Sequence, residues 1–253
     1  MRVQYLGGPT AILEIGGVRT LTDPTFDPPG EYPIGERVLT KTDGPALEPR
    51  EIGRVDAVLL SHDQHPDNLD RAGLEYLRTA PVAFSTGAAH ERLGDPVRAL
   101  PNWEHAELAR PGGATLRLTG VPARHGPEGS EQLVGEVTGF VLSGAGLPTV
   151  YVSGDNAALD LVHVIAERLG PFDVALLNVG AAQTALLDGA FLTLTSALAA
   201  EAVRILGSPQ TVPLHLEGWA HYSQGRATLV HAFQEAGLVD CLHLPEPGER
   251  LDL

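Results

Sequence analysis

The ten residues Ser61-His62-Asp63-Gln64-His65-Pro66-Asp67-Asn68-Leu69-Asp70 place two imidazoles and three carboxylates side by side, directly after the apolar run Val55-Asp56-Ala57-Val58-Leu59-Leu60. That run is short, branched and bounded by polar residues, so it reads as a buried strand. Neutral nitrogens and anionic oxygens at such density are the donors a divalent cation takes, at about 2.0–2.2 Å for zinc. The same residues also suit a polar entry into a helix beginning near Leu69, with Asp67 or Asn68 as its N-cap and Gln64 stabilising the loop. Alone, the ten residues leave both readings open.

Three later segments repeat the arrangement. Arg124-His125-Gly126 follows the alternating stretch Ala114 to Val121, Ser153-Gly154-Asp155-Asn156 closes Thr149-Val150-Tyr151-Val152, and Thr211-Val212-Pro213-Leu214 ends on His215. A lone His or Asp after a strand usually caps, turns or faces solvent. Four such endings in one chain point to a shared edge.

In this order, and over nearly the whole length, the chain resembles the metallo-β-lactamase superfamily. Within it the similarity is greatest to the branch containing ascorbate-6-phosphate lactonase, through Leu21-Thr22-Asp23-Pro24, Val152-Ser153-Gly154-Asp155 and Leu214-His215-Leu216-Glu217-Gly218-Trp219. The resemblance implies an α/β (α+β) fold, a four-layer αββα sandwich, and a metal-dependent hydrolase. It implies that His65, His125 and one of His62 or Asp63 hold a first ion, and that Asp67 and His215 hold a second, with Asp155 bridging. The family's spacing, His-x-His-x-Asp-His, is broken here. Asn68 stands where the last histidine belongs, and the first-ligand position falls on Asp63 with His62 one residue further away. Either an inserted residue bulges the loop so that His62 still binds, or Asp63 takes over as an oxygen ligand. Asn68 offers only a neutral amide oxygen, so the second site is expected to be the weaker.

A nitrogen and oxygen donor set suits zinc, with manganese or iron as alternatives, and one or two ions. Such an ion would make a hydroxide nucleophile near neutral pH and polarise a carbonyl or phosphoryl oxygen. The resemblance implies that Asp67 orients the nucleophile; His221, close after His215, is the residue to protonate the leaving group or bind an oxyanion, unless it only caps a helix starting near Ser223. Asp23 either fixes a ligand histidine or serves a turn. Ser223, Gln224, Gly225 and Arg226, and more weakly Arg124, are candidates to hold a phosphate. The reaction expected is hydrolysis of a small ester, lactone or phosphodiester. A phosphodiesterase acting on a lipid or nucleotide and a degenerate, non-catalytic metal or ligand binder are the alternatives.

The elements that must carry these residues form two related halves, about 1–125 and 126–253, of a single domain spanning 1–253. Strands are expected at Val3–Leu6, Ala11–Ile15, Arg19–Thr22, Phe140–Leu142 and Thr149–Val152, and Val55-Asp56-Ala57-Val58-Leu59-Leu60 is echoed by Phe172-Asp173-Val174-Ala175-Leu176-Leu177. Apolar residues at helical spacing predict outer-layer helices over Ala157–Leu169, Ser196–Leu206 and Ser223–Ala236, with His163 and His231 as ordinary helix residues. Pro24–Gly53 carries six prolines and little periodicity, and is expected to be a loop over the pocket mouth, with Arg37, Lys41 and Arg50 available to an anionic substrate.

Composition narrows the classes. At 253 residues and 43% hydrophobic content the chain can bury a large core. A formal charge of −15 and a single lysine argue against a nucleic-acid partner, because phosphate binding needs clustered cations. No apolar run approaches the roughly 18 residues of a membrane span. Cys241 is the only cysteine, so no internal disulfide can form; a reducing, cytoplasmic home fits, and Cys241 reads as a small buried residue. The partner expected is a small molecule; a homo-oligomer is left open.

Overall fold

The computed structural model describes residues 1–253. The chain begins with β1 (Arg2–Gly7), β2 (Thr10–Ile15) and β3 (Val18–Thr22), then β4 (Gly30–Ile34) and β5 (Arg37–Lys41), the short α1 (Pro49–Ile52), β6 (Ala57–Leu59), α2 (Arg71–Leu77), β7 (Ala83–Ser85), α3 (Gly87–Leu93) and β8 (Val97–Ala99). It continues with β9 (His105–Ala109), β10 (Thr115–Pro122), α4 (Glu131–Val134), β11 (Thr138–Ser143), β12 (Val150–Val152), α5 (Leu159–Leu169), β13 (Val174–Asn178), α6 (Ser196–Ile205), β14 (Gln210–Leu214), α7 (Arg226–Ala236) and β15 (Arg250–Asp252). One sheet runs β15-β1-β2-β3-β6-β7-β8 and the other β14-β13-β12-β11-β10-β9. The passage between sheets falls between Ala99 and His105, and Arg250–Asp252 returns to the first sheet.

Side-chain alternation explains the four layers. In β1 and β6, Val3, Tyr5, Ala57 and Leu59 face the other sheet, while Leu6, Val58 and Leu60 face outward, where they pack with Leu77 of α2. In β13, Val174 and Leu176 point between the sheets and Ala175 and Leu177 point to a layer containing Ile165, Val203 and Phe233 from the three long helices. Both faces of each sheet are therefore covered, which is why the central strands are almost continuously apolar. No helix is long and apolar enough to cross a membrane.

The structure corrects several expectations. Pro24–Gly53 is not a plain loop: β4 and β5 pair as an antiparallel hairpin, Gly30↔Lys41 to Ile34↔Arg37, around Gly35 at φ +58°. Its sides are half-buried and exposed in alternation, so no apolar stripe announced it. The helix after the His/Asp segment starts at Arg71, two residues beyond Leu69, and its N-cap is neither Asp67 nor Asn68 but Asp70, which accepts the Gly73 amide at 2.8 Å. The last helix starts at Arg226 rather than Ser223. Cys241 ends a single 3₁₀ turn and is half-buried rather than enclosed. His163 and His231 sit on exposed helix faces.

Candidate metal centre

Every strand whose C-terminal end carried a chemically suggestive residue ends on the same edge. Asp23 follows β3, Ser61 to Asp67 follow β6, His125 follows β10, Asp155 follows β12 and His215 follows β14. The two sheets meet there through backbone: the Thr138 amide donates to Ser61 O at 3.1 Å. Gly154 makes this approach possible, since at φ +56° a Cβ would stand 2.6 Å from Thr138 O and 2.8 Å from the Ser61 Cβ. His215 itself lies at φ +58°, uncommon for a residue with a side chain, while its amide donates to Gly8 O at 2.7 Å.

The ligand-type atoms of His62, His65 and His125 all lie within 4.8 Å of one another, and all three residues are buried. A relay orients His62. The Ser61 hydroxyl donates to Asp23 Oδ2 at 2.8 Å, so its oxygen accepts from His62 Nδ1 at 3.0 Å and the lone pair is left on Nε2. His62 Nε2 then stands 2.9 Å from His65 Nδ1, a separation that needs a proton or a cation between the rings. His125 Nδ1 donates to Leu192 O at 2.9 Å, leaving a buried Nε2 with no partner. Burial, then the neighbouring imidazole charges, lowers His62 well below its usual value and His65 to about 4; burial also lowers His125. Near pH 7 the three rings are neutral, so each carries one ring-nitrogen lone pair that a cation could take.

Beside them, Asp67 Oδ2 lies 3.2 Å from His215 Nε2 and 3.0 Å from His221 Nε2, with the Tyr222 hydroxyl donating at 3.5 Å. Asp155 Oδ2 lies 3.5 Å from His215 Nε2 and 3.6 Å from His125 Nδ1 but has no hydrogen-bond partner. Burial pushes both carboxyls up, but the surrounding imidazoles win and hold each below its usual range. Burial would lower His215, yet Asp155 and Asp67 raise it. Asp155 Oδ1 is held by Asn178 Nδ2 at 2.7 Å and Asn68 Nδ2 at 3.2 Å. Asn68 also reaches Asp23 at 3.4 Å, and its own Oδ1 is buried without a partner. Burial pushes the Asp23 carboxyl up to about 7 even though it accepts the Ser61 amide at 2.6 Å.

Orphaned buried atoms are rare in folded proteins. Here His125 Nε2 and Asp155 Oδ2 are both orphaned beside three neutral imidazoles, so the donor set fits one or two divalent cations.

Not every expected residue joins this centre. Asp63 turns away into a two-point ion pair with Arg92, at 2.5 and 2.8 Å, so of the two alternatives only His62 reaches the cluster. Arg124 pairs with Asp160 at 2.7 Å. The proposed phosphate cradle is already filled: Arg226 grips Glu217 at 2.7 Å twice, the Gly225 amide donates to Thr228, and Ser223 donates to Ala181 O. Lys41 is buried against Asp70 at 3.0 Å, and Arg50 lines a shallow depression with Tyr76 and Thr79. Gln64 faces an outer pocket. Ser61, Asn178 and Tyr222 hold or touch the centre without a motif that marks them; only their places beside His62, after β13 and beside His221 hinted at it.

A cavity of about 30 Å³, room for roughly one water, is lined by His65, Asp67, His125 and His221 together with Ile34, Arg37 and Leu39 of the hairpin. A wider pocket of about 460 Å³ opens outside it, sharing Ile34, Arg37 and His65. A separate hollow of about 400 Å³ lies behind Lys41 and Trp219, lined by none of the clustered histidines.

Comparison with known proteins agrees with this geometry. The model of the beta-lactamase superfamily domain matches residues 18–216. A protein of Pyrococcus horikoshii named as a UPF0173 metal-dependent hydrolase is 26% identical over 257 residues, covering 100% of both chains. A possible metal-dependent hydrolase of Veillonella parvula superposes with a TM-score of 0.86 at 20% identity, over 100% of this chain and 99% of that one. The isothiocyanate hydrolase from Delia radicum gut bacteria gives 0.83 at 20% identity, over 100% and 99%. At such identities the structural matches speak for the fold alone. With the family model spanning most of its length and the αββα layers beneath the centre, this chain belongs to the metallo-β-lactamase-fold superfamily.

Proposed function

We propose that this chain is a metal-dependent hydrolase of a small ester, lactone or phosphodiester, with His62, His65 and His125 on a first cation and Asp67, Asp155 and His215 on a second. The observation that carries the reading is the convergence of three buried, neutral imidazoles beside the unpartnered Asp155 Oδ2. The relatives' names point the same way. Nitrogen and oxygen donors favour zinc and also admit manganese or iron.

A divalent cation held by these residues would lower the pKa of water from 15.7 towards about 7 and polarise a carbonyl or phosphoryl oxygen. The protein supplies the rest. Asp67 Oδ2, on the cavity wall, accepts a hydrogen bond from the attacking water and fixes its direction of approach. His221 Nε2, 3.0 Å from that oxygen and on the same wall, delivers a proton to the departing oxygen. Burial, and then Asp67, raises the Tyr222 hydroxyl well above its usual value, so it remains a donor. Asn178 and Asn68 hold Asp155 by the oxygen turned away from His215, and Asp23 holds His62 through Ser61.

Metal analysis of protein purified without chelator, followed by assays on lactones and on bis-4-nitrophenyl phosphate, tests this. One or two equivalents of metal with chelator-sensitive turnover is expected. Absence of both overturns it, and tight ligand binding by metal-loaded protein without turnover would make the chain a binder.

A further inference from the structure

We propose that Arg37 is the anion-binding residue of this site, and that the substrate is therefore a compact molecule carrying a carboxylate or similar anionic group next to the bond that is cleaved; this rests on the hydrolase reading above. Arg37 sits at the turn end of the β4–β5 hairpin and lines both the 30 Å³ cavity, with His65, Asp67 and His125, and the 460 Å³ pocket outside it. It is the one arginine or lysine on either wall. A substrate seated in the outer pocket presents its reacting carbon to the mouth of the cavity, where a water fits, and Arg37, on both walls, stands at the junction.

The charge balance gives the argument its force. The other cations near the centre are committed to carboxylates: Arg92 to Asp63, Arg124 to Asp160, Arg226 to Glu217 and Lys41 to Asp70. Arg37 instead donates from Nη1 to a neutral hydroxyl, Thr184 Oγ1, at 2.6 Å, and makes no ion pair. An unpaired guanidinium beside a centre that gathers cations is unfavourable by itself, and although Asp67 lines the cavity and Glu36 the outer pocket with it, Arg37 pairs with neither. In a chain with a formal charge of −15, a carboxylate partner would have been easy to supply. A planar fork whose only partner is a hydroxyl is poised to exchange it for a bidentate carboxylate or phosphate. Ile34, Leu133, Val134 and Leu186 on the wall of the outer pocket leave room there for a short apolar portion.

The lactone pair γ-butyrolactone and γ-butyrolactone-γ-carboxylate separates the charge from the chemistry. In both, water oxygen bonds to the carbonyl carbon, the ring C–O bond breaks, the alkoxide takes one proton and one proton is released; the second yields 2-hydroxyglutarate. Metal-loaded wild type should prefer the carboxylated lactone. In Arg37→Ala the ratio of kcat/KM, carboxylated over neutral, should fall by about 10–100-fold, chiefly through KM, and Arg37→Lys should restore part of it. Calorimetry with 2-hydroxyglutarate gives a readout without turnover: its Kd should rise by about 10-fold or more in Arg37→Ala at wild-type metal content. An unchanged ratio, an unchanged Kd, or no binding of 2-hydroxyglutarate to wild type overturns the assignment of Arg37. Failure to open either lactone, with the Kd still dependent on Arg37, would instead tell against the lactone reading and leave the anion site standing.

Discussion

At the scale of single residues, the loop after β6 shows how one side chain's partner decides another's role. Asp63 and His62 are neighbours in sequence, but Asp63 is satisfied by Arg92 and His62 by Ser61, and this sends only the imidazole inward. His62→Ala should therefore cause a large loss of metal affinity, well beyond the roughly 10–100-fold of a residue that merely supports a ligand. Asp63→Ala should remove a two-point ion pair that is open to solvent only on its Arg92 side, cost about 1–3 kcal/mol of stability, and leave metal content near wild type. Metal titration of the two variants checks this, and equal losses would reassign the ligand. Asp23 makes a prediction of a different kind. Its carboxyl is raised by burial to about 7, far above the value near 3.9 of an unfolded chain. The protonated form is thus favoured in the fold, so the contribution is complete below about pH 4 and is lost as pH rises towards 7. The lowered histidines His62, His65 and His125 work in the opposite sense over the same window, so the Asp23 contribution is read as a difference: in denaturant melts of metal-stripped protein, Asp23→Asn should gain stability relative to wild type as pH rises from about 4 to 7, and a constant difference would refute it.

Among elements, the β4–β5 hairpin is held down by few contacts, and those are identifiable. Lys41 at its end pairs with Asp70, which also caps α2 through the Gly73 amide and accepts the Asp27 amide. Lys41 also bridges to Trp219, whose ring meets Tyr32 of the hairpin at 5.7 Å. Both charges of the Lys41–Asp70 pair are buried, so removing one leaves the other uncompensated. Lys41→Met should destabilise by about 3 kcal/mol, the lower end for breaking a buried pair because Asp70 keeps two amide donors. In a chain of this size that is a fall in Tm of about 6–12 °C, measurable by calorimetry. A shift under about 2 °C would mean the pair contributes little. This hairpin was hidden in the sequence because it rests on the body by scattered polar and aromatic contacts instead of an apolar stripe. The long helices and sheet strands, by contrast, were legible from their periodicity, since each buries a full face.

For the whole molecule, the centre lies where the strand ends of both sheets meet, so an ion held there ties β6 of one sheet to β10, β12 and β14 of the other. Chelation should lower Tm, and re-adding zinc should restore it, by the linkage that stabilises any state binding a ligand the unfolded chain does not. An identical melt with and without chelator would count against a bound metal. Composition and patterning by themselves determined the layers: alternation set which residues face the other sheet, and helical spacing set the cover. They also set the set of histidines and carboxylates at strand ends, because a residue following a buried strand is delivered to its edge whatever else happens. Which donors turn inward was a tertiary decision. Asp63 lost its place to a distant arginine, Asn68 became a support for Asp155, and the supposed cradle at Ser223–Arg226 closed on Glu217 and Thr228. Each depends on a partner tens of residues away or on an exact loop path, and local sequence carries no record of which long-range partner will be nearest once the sheets have packed.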